Sequence, residues 1–430
     1  MSNYPGYRGE SLTFLKKHNV VVGDSVKVSS DSGYMGILMP RYEYSDDNHI
    51  VLKLENGYNV GLKIENIKKI EGITSSSMKE EKEIPKPQIN SNLPRILLIS
   101  TGGTIASKID YRTGGVKPML TADELNTAVP ELIKIANIET EVLFSEPSED
   151  LLPEHWNKIA KKLDSYATSD YKGIIIAHGT DTMHYTTAAL SFALSGFPIP
   201  IVLVGSQRSS DRPSSDAALN LIAAARFIVE CAERGIYIVM HNNTSDDDVA
   251  CHLGTRVRKN HTSKRDAFQT IGGPPAFLVK NETIMRNFTG AYFKTKEYTP
   301  RINWETRVAL IKYYPGLDPK IIDYFLESGY RAIIFEGTGL GHVGKIMYEH
   351  VGKAKKKGLF LGMTSQCIDG AVRMTVYESG RDLLNLGVVP LSNMISETAL
   401  VKAMWALANT KNIDEMEKLM KQNIASEYSD

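Results

Sequence analysis

Residues 95–107 read RILLISTGGTIAS: an apolar run that breaks into two glycines flanked by Thr101 and Thr104. A run of this kind, ended by a glycine turn, marks a strand buried on both faces, as in a parallel sheet. The same phrase returns downstream as KGIIIAHGT (172–180), IPIVLVGS (199–206) and GIYIVMHN (235–242). Between these runs the spacing predicts amphipathic helices over 121–136, 153–168, 181–195 and 215–234. Thr121 and Glu124 supply a capping-box spacing at the start of the first. Alternation of strand and helix argues for an α/β sheet covered by helices on both faces.

Downstream, the rhythm breaks over 280–305 and resumes with RVALIKYYP, RAIIFEGTG and GLFLGMTSQ. Helical stretches near 318–328 and 344–357 separate these strands, giving a second, smaller α/β unit followed by an amphipathic C-terminal helix. Upstream, residues 20–70 read as all-β. SVKVSS, MGILM, HIVLKL and NVGLKI are short, and Asn56-Gly57 between the last two is a strong hairpin signal, because a type I′ turn needs positive φ at both central residues. Residues 72–94, rich in Ser, Lys, Glu and Pro, read as a linker. The expected division is therefore 1–72, a small β-barrel; 73–94, a linker; 95–295, a larger α/β domain; and 296–430, a smaller one with the terminal helix.

Composition narrows the classes of function. The 430 residues are 42% hydrophobic and 23% charged, which excludes disorder as the main state. Fifty Lys and Arg balance fifty Asp and Glu, so a whole-surface electrostatic grip on nucleic acid or an anionic membrane is excluded. Three widely spaced cysteines, Cys231, Cys251 and Cys367, fit a reducing compartment better than a disulfide framework. With no apolar run of spanning length, the expected location is the cytoplasm.

In open α/β sheets ligands bind at the carboxyl ends of the strands. The two informative loops are thus 101–107 and His178-Gly-Thr-Asp-Thr-Met183. The first carries hydroxyls without either phosphate-loop pattern. In the second, Thr180 and Asp181 offer a hydroxyl and a carboxylate, although Asp181 is explained as simply by an N-cap. A threonine attacks only once a base takes its proton. The segment 256–265, RVRKNHTSKR, supplies candidates in Arg256, Arg258, Lys259, Lys264 and Arg265, among which chemistry alone does not choose. Gly339-Leu-Gly341-His-Val-Gly344 matches the dinucleotide fingerprint formally. However, the next strand ends in Thr364-Ser365-Gln366 and lacks the acid that would hold a ribose. Asp246-Asp247-Asp248, near His241 and His252, has no metal-ligand spacing and reads as a solvated loop. Lys353-Ala-Lys-Lys-Lys357 reads as charge at a helix C-terminus, and Trp405 and Leu407 as core.

TGGTIAS and HGTDTM, followed by VGSQRSSDRPSSDAALNL and TRVRKNHTSKRDAF, resemble the bacterial-type asparaginase/glutaminase family over 95–410. The resemblance implies a two-domain asparaginase-like core of larger and smaller parallel-sheet α/β domains, here preceded by the small all-β barrel. It implies Thr104 as the expected nucleophile, a second hydroxyl and proton relay from Thr180, Asp181 and Lys259, and Tyr111 as a mobile tyrosine closing over the substrate. Which threonine attacks stays open. Ser148 and Glu149, with Gly103 and Gly179, match the substrate-binding positions, and an ionised Glu149 would favour an α-ammonium group. One methylene discriminates by only ~1–3 kcal/mol, so glutamine against asparagine is left open.

The barrel and linker extend the resemblance to nearly the whole chain, toward a branch of that family: the ammonia-supplying subunits of archaeal tRNA-dependent amidotransferases. This implies glutamine hydrolysis here and no cofactor bound by this chain, with ATP and Mg²⁺ required by the complex. It also implies a larger partner, the E subunit of the same amidotransferase, which holds tRNA(Gln) and phosphorylates the misattached glutamate. A homodimer formed through the core is implied as well. The alternative is a stand-alone cytoplasmic L-asparaginase with an accessory barrel.

Overall fold

The computed structural model describes residues 3–30, 32–41, 45–54, 59–73, 90–103, 105, 107–109, 116–118, 125, 129–208, 215–280, 283–287 and 297–428. The N-terminal unit opens with helix α1 (Gly9–Lys17), which the sequence reading did not anticipate. An antiparallel sheet follows: β1 (Ser25–Ser29), β2 (Gly33–Leu38), β3 (His49–Leu54), β4 (Asn59–Lys63) and β5 (Lys69–Gly72), in the order β4-β3-β2-β1-β5. The β3–β4 hairpin pairs His49 with Lys63 through Lys53 with Asn59, while its Asn56-Gly57 turn lies outside the described residues. Val26, Val28, Leu38, Ile50 and Leu52 alternate inward, and Leu15 of α1 closes the core. Most of the linker, 74–89, also lies outside the described residues.

The larger domain is one eight-stranded sheet with two small hairpins. Its strands are β6 (Arg95–Ser100), β9 (Asn137–Val142), β10 (Gly173–Ala177), β11 (Ile201–Val204), β12 (Ile236–His241), β13 (Asp248–Leu253), β16 (Phe277–Lys280) and β17 (Thr283–Arg286). The hairpins are β7 (Ser107–Ile109) with β8 (Val116–Pro118), and β14 (Val257–Lys259) with β15 (Phe268–Thr270). The order is β17-β16-β13-β12-β11-β10-β6-β9. Strands β6, β10, β11 and β12 are parallel, as the apolar runs predict, and β9, which the sequence reading did not anticipate, joins them parallel; β13, β16 and β17 join antiparallel. The sheet is therefore mixed, not parallel throughout. The turns joining β12 to β13 and β16 to β17 are too short for a crossover, and β13 reaches β16 through a hairpin instead of a helix.

Side-chain alternation divides the core. Ile96, Leu98, Ile175, Val202 and Val239 face α4 (Ala217–Arg226); Leu97, Ile99, Ile174, Leu203 and Met240 face the side of α2 (Pro153–Asp164) and α3 (Met183–Ala193). Each helix is shorter than expected. The stretch 215–234 ends α4 at Arg226 and continues as one wide turn to Cys231, and the described part of 121–136 includes a 3-10 turn, Pro130–Lys134. The Thr121–Glu124 cap lies outside them.

The smaller domain is a parallel sheet of β18 (Val308–Lys312), β19 (Ala332–Gly337), β20 (Phe360–Ser365) and β21 (Val389–Pro390). Helices α5 (Lys320–Glu327), α6 (Tyr348–Lys356) and α7 (Glu378–Asn385) accompany one core; α8 (Ser396–Ala408) and α9 (Ile413–Lys421) serve the other. Nearly every side of α8 is buried because it packs against α3 of the larger domain. There Phe192 stacks on Trp405 at 5.7 Å between ring centroids. Gly339–Gly344 forms a turn bridged by Thr338 and His342, and a 3-10 turn, Lys345–Met347, separates it from α6.

Candidate active site

The connection after β6 runs to β9 on one side of the sheet, and that after β10 runs to β11 on the other. The crevice at their carboxyl ends is thus the topological switch point. Two glycines let the loops meet there. Gly103 has φ +82°, and a Cβ on it would lie 2.6 Å from the Gly179 nitrogen; a Cβ on Gly179 would lie 2.7 Å from the Ser148 Cβ. Gly205, after β11, closes from the other side: its Cβ would lie 2.7 Å from Thr180 Cγ2.

Into this packed turn the β14–β15 hairpin delivers one cation. Lys259 Nζ donates to Thr180 Oγ1 at 2.8 Å and to Asp181 Oδ1 at 2.7 Å. The lysine side chain is largely buried and Asp181 is mostly exposed, so the contact has one dry end and one end open to solvent. Of the five basic candidates, the structure places only Lys259 against the hydroxyl. Arg256 is buried against backbone carbonyls, including that of Glu427; Arg258 pairs with Glu397, Arg265 pairs with Asp246, and Lys264 is exposed. Asp181 is not the helix cap, since Thr182 occupies that position before α3.

Ser148 is buried beneath the site. Its Oγ accepts the Asp181 N–H at 3.2 Å, and its carbonyl accepts the Thr182 hydroxyl at 2.6 Å. Glu149 beside it is exposed at the rim. Thr104 and Tyr111 lie outside the described residues. The other hydroxyl of the first loop is already occupied: Thr101 is buried and donates to the Ala177 carbonyl at 2.9 Å.

Two features beneath the site were missed by sequence reasoning. His178, fully buried, contacts the Gly179 carbonyl through Nδ1 and Thr186 Oγ1 through Nε2, and burial pushes its pKa down to about 4. A neutral imidazole therefore braces the turn that carries Thr180. Gly205 is the second, and its only signal was its place after an apolar run. In the acidic loop Asp246 pairs with Arg265 and contacts His241. The three cysteines are free. Lys353 pairs with Asp323, and Trp405 and Leu407 are buried.

Comparison with known proteins places these residues in a family context. Residues 95–289 match the asparaginase N-terminal family, 307–420 the glutaminase/asparaginase C-terminal domain, and 20–73 the GatD N-terminal domain. The glutamyl-tRNA(Gln) amidotransferase D subunit of Sulfolobus acidocaldarius is 46% identical over 429 residues, covering 98% of this chain and 95% of that protein. Its counterpart from Pyrococcus abyssi is 45% identical over 431 residues, with 97% of each chain covered. Among solved structures, the thermostable L-asparaginase from Thermococcus kodakarensis superposes with TM-score 0.71 at 33% identity, covering 78% of this chain and 99% of that one. The L-asparaginase I of Vibrio cholerae, at TM-score 0.68 and 24% identity, shares the fold.

Proposed function

The chain belongs to the family of glutamyl-tRNA(Gln) amidotransferase D subunits, within the asparaginases and glutaminases, and from that premise we propose that it hydrolyses glutamine to supply ammonia for converting Glu-tRNA(Gln) to Gln-tRNA(Gln). The observation that carries this over a free asparaginase is the N-terminal unit. The Thermococcus asparaginase is covered almost completely and leaves part of this chain unmatched, whereas the amidotransferase D subunits match from end to end.

The chemistry proposed for the site is acyl transfer. A threonine oxygen, Thr104 or Thr180, attacks the glutamine side-chain amide; ammonia leaves, and water hydrolyses the γ-glutamyl ester to glutamate. Lys259, held between Thr180 and Asp181, moves the proton from the attacking oxygen toward the leaving nitrogen. Backbone N–H groups of the Gly103 and Gly179 turns receive the developing oxyanion. Tyr111 closes over the substrate; Asp181 and Glu149 hold its α-ammonium, with Ser148 fixing Asp181 from below.

The ammonia then serves a larger partner, the E subunit, which binds tRNA(Gln) and uses ATP and Mg²⁺; no cofactor is assigned to this chain. A homodimer through the core belongs to the same reading. A cytoplasmic location agrees with the free cysteines, and no helix among the described residues is long and apolar enough to cross a membrane.

Ammonia release from L-glutamine and L-asparagine tests the reading directly. Weak turnover by the chain alone, raised on glutamine by the E subunit and charged tRNA, is expected. Brisk asparagine hydrolysis indifferent to any partner would support the stand-alone asparaginase instead.

A further inference from the structure

Strand β14 is three residues long, yet it carries the lysine on which the proposed chemistry depends. So short a strand does not fix its own orientation, and its single partner, β15, is equally short. Neighbouring side chains on a strand point to opposite faces. Lys259 faces Thr180, while Arg258 faces the smaller domain, where its Nε lies 2.9 Å from Glu397 Oε1 at the start of α8. The turn just before β14 is held from the same domain. Thr398 Oγ1 donates to the Thr255 carbonyl at 2.9 Å, Thr255 Oγ1 donates to the Ala425 carbonyl at 2.8 Å, and Arg256 Nη1 donates to the Glu427 carbonyl at 3.2 Å.

The Glu397 end of the ion pair is itself tightly set. Its side chain is 9% exposed, and Ser396, beside it, donates at 2.5 Å to Glu336 Oε1 at the end of β19 and lies 3.2 Å from Glu397 Oε2. Tyr185, on the helix that follows Thr180 and Asp181, feels the charges of Glu397, Arg258 and Glu336. Buried ion pairs contribute little net stability, because desolvation offsets most of their attraction. Their geometry is nonetheless strict, since the planar guanidinium presents its N–H groups in a fixed fork.

We propose that Glu397 and Arg258 are positioning residues for the hydrolysis: the smaller domain sets the rotation of β14 through this pair, and thereby the approach of Lys259 to Thr180. Neither touches the substrate. The inference rests on Lys259 serving as the proton relay. It gives the smaller domain a part in catalysis beyond burying apolar surface. It also supplies a physical route by which a partner bound to that domain alters the turnover of glutamine.

The test is steady-state glutamine hydrolysis by the full-length chain, with the E subunit present where turnover requires it. Glu397→Gln, Arg258→Gln, Arg258→Lys and the double Glu397→Gln/Arg258→Gln variant are compared with Lys259→Met, and the folded fraction is measured for each. A misplacement of about 1 Å in catalytic geometry costs on the order of a hundredfold. We therefore expect kcat per folded molecule to fall roughly ten- to a hundredfold in each Gln variant, with KM changed by about threefold or less. Arg258→Lys should recover part of the loss, and the double variant should be no worse than the worse single one. Unchanged kcat per folded molecule in Glu397→Gln and Arg258→Gln, with Lys259→Met inactive, would overturn the positioning role alone. The same holds for losses that merely track the folded fraction. Turnover surviving in Lys259→Met would instead overturn the relay on which the inference stands.

Discussion

Lys259 meets two oxygens at once, and the two contacts do different work. Both oxygens accept from Lys259 Nζ: Asp181 orients the side chain, and Thr180 is the hydroxyl whose proton, in the proposed reaction, passes to the lysine as its free amine and on to the leaving nitrogen. Replacing Lys259 by Met removes the proposed relay without adding a charge, so ammonia release should fall by about 10²–10⁴-fold with the fold unchanged by circular dichroism. Thr180→Ala should fall comparably, and a variant retaining more than a tenth of the activity at either position would contradict the assignment. The glycines are as exacting for a steric reason. Gly103→Ala forces a Cβ to 2.6 Å from a backbone nitrogen at φ +82°, where neither atom has room to yield. That variant should lose nearly all turnover, a substituted Ser148 less. HGTD and TGGT were legible because each follows an apolar strand. By chemistry alone Lys259 was not separable from its four basic neighbours, because spacing does not say which long side chain a hairpin turns inward; the family resemblance singled it out.

At the scale of elements, buried histidines make the larger domain acid-sensitive, His178, His184 and His252 most of all. Burial pushes His178 and His184 down to about 4 and His252 to about 3, whereas the unfolded chain titrates them near 6.5. Between those values the unfolded state binds more protons, so this stability is complete above about pH 6.5 and drains away as pH falls toward 4. By pH 5 the loss should approach ~2 kcal/mol per histidine, read as a drop in the urea midpoint between pH 7 and pH 5; a flat midpoint would count against it. The C-terminal segment depends on charge in a different way. Lys402 and Glu427 are both fully buried and 2.5 Å apart, and Glu427 also accepts the Ile424 and Ala425 backbone N–H groups. Lys402→Met strands the carboxylate and should destabilise the chain by about 3–5 kcal/mol, visible in thermal unfolding. This pairing had no sequence signal, because Lys402 sits on a helix whose pattern reads as apolar.

Over the whole molecule, what was legible was whatever burial imposes on sequence. The β6, β10, β11 and β12 runs, the two α/β units and the all-β start are each written as apolar periodicity. Less legible were features set by tertiary context: the antiparallel half of the larger sheet, the shorter helices, α1, and the contacts by which the smaller domain grips β14. The proposed function belongs to this scale too, because the resemblance to a free asparaginase stops at part of the chain, whereas that to amidotransferase D subunits runs over nearly its full length. The central measurement is the fate of the amide nitrogen. The chain, the E subunit proposed as its partner, Glu-tRNA(Gln), ATP and glutamine labelled with ¹⁵N at the side-chain amide are combined, and the tRNA-bound amino acid is analysed by mass spectrometry. The account predicts ¹⁵N-labelled glutamine on the tRNA, abolished by Lys259→Met in this chain while free ammonia still supports the reaction. Labelled product formed equally well with the Lys259→Met chain, or no transfer alongside brisk asparagine hydrolysis, would contradict it.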